Sequence, residues 1–149
     1  MDNRSELEKQ LETAVGPERV SLLLKYGFSF HMQNPDRMFE ITQEAMALAR
    51  EYSDRDGLSR CLQQQSVYWG IRGNYDKALE KALEAMATTG ESTNSGRLAG
   101  LYNNISIIYC RLEDPENSIS CAEKAIEIAN DAGLPAEKAR GYNNLAMNM

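Results

Sequence analysis

An internal repeat of 40 residues constrains the fold of this chain more than any other feature. The segment Tyr102-Asn103-Asn104-Ile105 returns as Tyr142-Asn143-Asn144-Leu145, and 142 − 102 = 40. Other pairs match at the same offset: Leu58 with Leu98, Ser66 with Ser106, Trp69 with Tyr109, Ala82 with Ala122, and Ala85 with Ala125. A repeat of this length predicts a solenoid, because one unit cannot bury its own apolar face and must stack on its neighbours. Stacked repeats form long grooves, so the sequence points to a binding function.

Apolar residues recur with helical spacing almost from end to end, and short Gly, Pro, Asn and Asp clusters interrupt them. The first three predicted helices cover residues 5–14, 17–32 and 35–52. The breaks alternate between tight ones (33–35, 73–75, 113–115) and looser ones (53–57, 90–96, 131–135). We therefore predict an all-α protein, an α-solenoid of antiparallel helix pairs with about eight helices.

The breaks divide residues 1–149 into the parts of one domain. A capping helix (1–16) precedes repeat one (17–56), repeat two (57–95) and repeat three (96–135), and residues 136–149 form the first helix of an incomplete fourth repeat. Terminal repeats of solenoids normally carry a polar cap, and the last helix has none. We therefore expect this chain to be a fragment of a longer protein.

Composition excludes several classes of partner. The net charge is −6 and the pI is near 4.9, which disfavours nucleic acid and anionic membrane surfaces. No apolar run approaches the roughly 20 residues that span a bilayer. The cysteines (Cys61, Cys110, Cys121) are odd in number and lack CxxC spacing, which favours a reducing compartment. We expect a cytoplasmic protein.

The turn and crossing positions resemble the tetratricopeptide repeat (TPR). Gly73-x-Tyr75-x-x-Ala78 carries the likeness, followed by Ala82 and Ala85 and preceded by Ser66 and Trp69. In that family, small residues sit where paired helices cross closely and large residues fill the gaps. The resemblance covers residues 17–149 and implies a TPR superhelix. Glu113 departs from it, since it stands where the turn glycine is usual.

The period also departs from the family, because 34 residues is usual and this chain has 40. HEAT-like and armadillo-like helix pairs have periods nearer 40 and remain an alternative fold, although they do not explain Gly73-x-Tyr75-x-x-Ala78. The longer repeat resembles N-terminal sensor or scaffold regions of modular bacterial signalling proteins. That resemblance implies a regulatory segment of a larger protein.

The sequence lacks a catalytic constellation. His31 is the one histidine, and there is no Gly-rich phosphate loop, GxSxG or HExxH motif. We therefore expect no enzymatic activity, no metal and no cofactor.

Paired amides mark the candidate binding surface. Asn103-Asn104 and Asn143-Asn144 recur at one phase of the repeat, and Gln63-Gln64 holds the equivalent place one repeat earlier. Amides match the N–H and C=O groups of an extended peptide. Similar Asn-Asn pairs occur in kinesin light chain repeats and in bacterial peptide-sensing tetratricopeptide proteins, and this resemblance implies contact with a bound peptide backbone. The alternative is that one asparagine of each pair only fixes the stacking of repeats.

Arginines and apolar residues complete the predicted groove. Arg60, Arg111 and Arg140 map to its rim, and Val67, Ile107 and Met147 to its floor. Arginines beside amides suit an acidic side chain or a free carboxylate, although a solvated surface charge is the alternative for each. The lysines of the clamp in chaperone co-factors are missing, so we do not predict binding of chaperone tails.

The last helix suggests a second function. Tyr142, Leu145 and Met149 form an apolar face with no following helix to cover it. This face predicts self-association, with a homodimer as the product. A protein- or peptide-binding scaffold is thus the main hypothesis, and an oligomerisation element without a peptide ligand is the alternative.

Overall fold

The computed structural model describes residues 3–89 and 94–148, and these residues form helices without any strand. The helices are α1 (Asn3–Leu11), α2 (Gly16–Phe28), α3 (Pro35–Glu51), α4 (Arg55–Ile71), α5 (Tyr75–Thr88), α6 (Ser95–Arg111), α7 (Pro115–Ala132) and α8 (Pro135–Met147). The predicted all-α class and the count of about eight helices are confirmed.

Capping side chains begin five successive helices at intervals of 20 residues. Each accepts a hydrogen bond of 2.9–3.2 Å from the backbone N–H three residues later. The five are Asn34, Asp54, Asn74, Asn94 and Asp114. Such a cap satisfies one of the N–H groups that the first helical turn leaves unpaired. The 40-residue repeat is therefore two 20-residue halves.

The residues beyond the usual period lie in the helices. Both α3 and α4 have 17 residues, and three-residue turns separate α3, α4 and α5. The predicted looser breaks at 53–57 and 131–135 were wrong, since α4 begins at Arg55 and α8 at Pro135, directly after short turns. The third looser break includes residues 90–93, which lie outside the described residues.

Four of the turns each contain a residue with left-handed backbone geometry. Gly73 and Glu113 have φ of +77° and +60°, and Ser53 and Gly133 have +52° and +68°. Only glycine adopts this region without steric cost, so Glu113 keeps the turn geometry at a small conformational penalty. The missing turn glycine therefore does not change the fold.

The helices form two layers. The inner layer contains α2, α4, α6 and α8, the outer layer contains α3, α5 and α7, and α1 packs on α2. Within the inner layer, α2 contacts α4 and α6 contacts α8, whereas the backbones of α4 and α6 approach each other less closely.

Small residues lie where the layers cross. Ala82, Ala85, Ala122 and Ala125 are fully buried. The serines at the small positions of the inner layer also bond across the crossing: Ser66 donates to the Ala78 carbonyl and Ser106 to the Ser118 carbonyl, each at 2.7 Å. These contacts hold each helix pair at a close, fixed distance.

Candidate functional site

Helices α1, α2, α4 and α6 line an open groove of about 900 Å³. Its lining is mixed: apolar side chains include Phe28, Val67 and Ile71, the amides are Gln63, Gln64 and Asn104 with Asn3 and Gln10, the basic groups are Lys25, Arg60 and Arg97, and the acidic one is Glu6. Arg97 is paired with Asp56, so Lys25 and Arg60 against Glu6 make the groove locally positive, although the chain carries a net charge of −6.

Two of the four predicted asparagines hold the inner layer together. Asn103 is fully buried, and its Nδ2 donates to the backbone oxygen and to Oε2 of Glu137, both at 3.0 Å. Asn144 is 4% exposed, and its Nδ2 donates to the backbone oxygen and Oδ1 of Asn103 at 3.2 and 3.1 Å. These amides join α6 to α8. The expectation that Asn103 and Asn144 face a ligand is therefore corrected to a stacking role.

An ion pair extends the same contact to the surface. Arg140 donates to both carboxylate oxygens of Glu137, at 3.2 and 3.0 Å, and to Oδ1 of Asn104 at 2.9 Å. The carboxylate of Glu137 thus bridges Arg140 and the buried Asn103. We call the network of Asn103, Asn104, Glu137, Arg140 and Asn144 the α6–α8 seam.

The equivalent positions one repeat earlier do not form such a network. Subtracting 40 from 103, 137, 140 and 144 gives Gln63, Arg97, Gly100 and Asn104. The position of Glu137 is occupied by Arg97, which pairs with Asp56. The position of Arg140 is occupied by Gly100. Without the pair, α4 and α6 stay apart, and Gln63, Arg97 and Asn104 line the groove between them. The 40-residue offset alone makes this change visible in the sequence.

The groove amides present defined donors and acceptors. Arginine can only donate, so Oδ1 of Asn104 faces Arg140 and its Nδ2 is directed elsewhere, with no acceptor among the described residues. The Nε2 of Gln64 donates to Thr42 Oγ1 at 2.8 Å, which leaves its Oε1 as an acceptor. Gln63 makes no side-chain hydrogen bond within the described residues, so its amide offers both a donor and an acceptor to a ligand. Asn143 is exposed on α8, away from this groove.

The three predicted arginines lie in different surroundings. Arg60 lines the groove and donates to Ser21 Oγ at 2.9 Å. Arg111, at the end of α6, is exposed and lines a smaller cleft described below. Arg140 belongs to the α6–α8 seam. Thus the structure places Arg60 and Arg111 beside the groove, and it engages Arg140 in a structural ion pair.

The predicted apolar residues also separate. Val67 lines the groove and Ile107 the smaller cleft, whereas Met147 is 50% exposed on α8. On the predicted self-association face, Tyr142 is 54% exposed and Leu145 is half-buried. Met149 lies outside the described residues.

One groove wall was missed by sequence reasoning. Helix α1 was expected only to cap the array, yet Glu6, Leu7 and Gln10 line the groove. Phe28 is 45% exposed there, and its ring stacks on His31 with centroids 4.2 Å apart. The one available signal was the spacing of Leu7 and Leu11, which places an apolar stripe on α1.

Groups that support catalysis are not assembled in the described residues. No cluster of His, Cys, Asp and Glu there could hold a metal ion. Burial raises the pKa of the Cys61 thiol to about 12, so this cysteine stays protonated and is a poor nucleophile. No helix in the described part of the chain is long and apolar enough to cross a bilayer.

The architecture is similar to that of several solved structures, two of which are described by their tetratricopeptide repeats, while no family model and no curated protein matches the sequence. One is a Signal Transduction ATPase with Numerous Domains (STAND) protein with a tetratricopeptide repeat sensor from Pyrococcus horikoshii (TM-score 0.82, 14% identity). Another is BtubC (BKLC) from P. vanneervenii (TM-score 0.79, 20% identity). A third is a putative kinesin light chain with TPR-like repeats from Podosopora anserina (TM-score 0.64, 12% identity, 94% of this chain and 74% of that one).

These likenesses show the fold. The first two cover 97% of this chain but only 23% and 61% of the other chains, so this chain spans part of their length. The chain therefore has a tetratricopeptide-like fold.

Proposed function

Starting from this tetratricopeptide-like fold, we propose that the chain is a protein-binding scaffold whose groove holds an extended segment of a partner protein. The observation that carries the proposal is the groove itself. It is open, it has about 900 Å³ of space, and amides, apolar side chains and basic groups line it together. Mixed lining of this kind suits a peptide, since apolar contacts supply affinity and a few polar groups fix register.

The groove amides fit the main chain of such a segment. Asn104 offers a donor, Gln64 an acceptor and Gln63 both, which matches the alternating C=O and N–H groups of extended backbone. The contact with α8 fixes Asn104, and the contact with Thr42 fixes Gln64. Because the two side chains are held before a ligand arrives, binding loses less conformational entropy.

The proposal includes a regulatory role in the cytoplasm. All three cysteines are free in the structure, which agrees with a reducing compartment. The Pyrococcus protein has a tetratricopeptide repeat sensor, and 23% of its chain superposes on this one with a TM-score of 0.82. By analogy, we propose that this chain is the sensor or scaffold part of a larger signalling protein.

The groove is tested with a matched pair of truncations. Phe28 and Leu83 are each 45% exposed, but only Phe28 lines the groove. Peptides are first selected from a phage-displayed random-sequence library on the wild-type chain. Phe28→Ala is expected to weaken their binding by about tenfold in calorimetric titration, as loss of an aromatic anchor does, and Leu83→Ala is expected to leave it unchanged. If both variants lose the same affinity, or if neither loses any, the peptides bind outside the groove.

Self-association through α8 is the second candidate, favoured by the exposure of Tyr142 and Met147 (54% and 50%). It predicts that the mass measured by light scattering rises with concentration. Tyr142→Asp would then give a monomer at every concentration, because it places a charge in the contact. A wild-type chain that is monomeric throughout would remove this candidate.

A further inference from the structure

A second cleft of about 290 Å³ opens between α4 and α6. Its walls are mainly aliphatic and include Val67, Ile71, Ile107 and Ile108, while Asn104 and Arg111 supply polar groups. It shares Val67, Ile71 and Asn104 with the large groove, so the two spaces adjoin. By comparison, a dry apolar cavity of roughly 150 Å³ is enough to bind benzene.

Two sequence differences between successive repeats open the cleft between α4 and α6. The ion pair of Glu137 and Arg140 is replaced by Arg97 and Gly100. In addition, Gly70 stands 40 residues before Cys110, so a side chain is missing from the wall of α4. A Cβ added at Gly70 would meet no other atom within 4 Å. The cleft is thus a local property of the contact between α4 and α6 rather than a general feature of the array.

The charges around the cleft favour a ligand that carries a carboxylate next to the group that occupies the cleft. Arg111 lines the cleft, and Lys25 and Arg60 line the adjoining groove. In the described residues none of these three forms an ion pair with a carboxylate, although the chain has 22 acidic residues and 16 basic ones. Unpaired basic groups beside an apolar cleft attract carboxylates.

We propose that this cleft is a specificity subsite that takes one large apolar side chain of the partner segment, leucine or phenylalanine in size, next to an acidic residue. The inference rests on the proposed function, because the segment must lie in the groove for its side chain to enter. The apolar side chain fills the space between Val67 and Ile107. The neighbouring carboxylate meets Arg111, and the Nδ2 of Asn104 donates to the backbone between them.

The test fills the cleft from within. Gly70→Leu places a side chain in the empty wall, whereas Gly70→Ala adds one methyl group and serves as the matched control. The probes are peptides selected from the random-sequence phage library on the wild-type chain. We expect them to share a large apolar residue beside Asp or Glu. Gly70→Leu should raise their dissociation constants by at least about tenfold, and Gly70→Ala by less than about twofold.

Two further variants test the cleft independently of Gly70. Ile71 is 45% exposed, so Ile71→Glu tests the cleft without disturbing the core if Gly70→Leu fails to fold. It should also weaken binding about tenfold, since it adds a negative charge where an acidic segment docks. Arg111→Glu should weaken binding most at low salt, because screening reduces the charge contribution.

The outcomes separate the two proposals. Peptides that lose affinity for Phe28→Ala but bind the Gly70→Leu and Ile71→Glu variants like the wild type would overturn the subsite and leave the groove standing. Selected peptides with basic rather than acidic neighbours would also overturn it. If no peptide is selected, or if no groove variant affects binding, both proposals fail.

Discussion

Replacing Asn103 by alanine is expected to lower the free energy of unfolding by about 2–3 kcal/mol, since it removes three hydrogen bonds that this buried side chain makes between α6 and α8. The Asn103 side chain is fully buried and donates to the backbone oxygen of Glu137 at 3.0 Å, and its Oδ1 accepts from Asn144 at 3.1 Å. Without it, the Glu137 backbone oxygen and carboxylate each lose a donor, and the Asn144 amide loses one of its two acceptors. Urea denaturation of both proteins measures the difference.

Asn143→Ala is the matched control for this prediction. Asn143 occupies the same position one repeat later, but it is exposed and its side chain makes no hydrogen bond with the described residues. Its replacement is expected to change stability by less than about 0.5 kcal/mol. Hydrogen exchange adds a local measurement, because Asn103→Ala should expose the amides of α8 before those of α2 to α5. Equal costs for the two variants would show that the α6–α8 seam does not depend on Asn103.

The architecture was predictable because capping and crossing residues recur at the same positions of each repeat. Asn34, Asn74 and Asp114 already indicated where helices begin, and alanines at a constant offset indicated where they cross. What the sequence reasoning overlooked were the caps of intermediate phase, Asp54 and Asn94. The cap at Asp54 shortens the turn between α3 and α4 to three residues, so that the added residues of the repeat lie in the helices. A regular spacing of 20 residues was present, but only half of it was used.

The site was predicted less well, because identical residues have different neighbours in successive repeats. Asn103 and Asn143 share a repeat position, yet the first is fully buried by α8 and the second is exposed. Sequence periodicity places both on one helix face but does not report the distance to the next helix. That distance depends on the Glu137–Arg140 pair and on its absence at Arg97 and Gly100. The binding surface therefore follows from where the repeat fails rather than from where it is kept.

Gly141→Ala is expected to destabilise the fold by about 1–3 kcal/mol, because the site is already filled. An added Cβ would lie 2.5 Å from Cγ1 of Ile126 and 3.3 Å from the carbonyl oxygen of Ala122, both on α7. The Ile126 atom belongs to a β-branched side chain that has little rotational freedom, and the Ala122 atom is backbone. Relief therefore requires α8 to move away from α7. Thermal or urea unfolding of the variant measures the loss.

The opposite sign is expected for Gly100→Ala, which makes it the control. Both glycines are buried in helix interiors, but a Cβ at Gly100 would meet only the Glu137 carboxylate, at 3.8 Å, an ordinary contact distance. Alanine there should raise stability by about 0.5–1 kcal/mol, since glycine loses more backbone entropy in a helix. Because helix propensity favours alanine at both sites, destabilisation at Gly141 alone measures the tight contact of α8 with α7. A gain in both variants would mean that α8 has room to shift on α7. The α6–α8 seam would then hold α8 in place without help from the α7 contact.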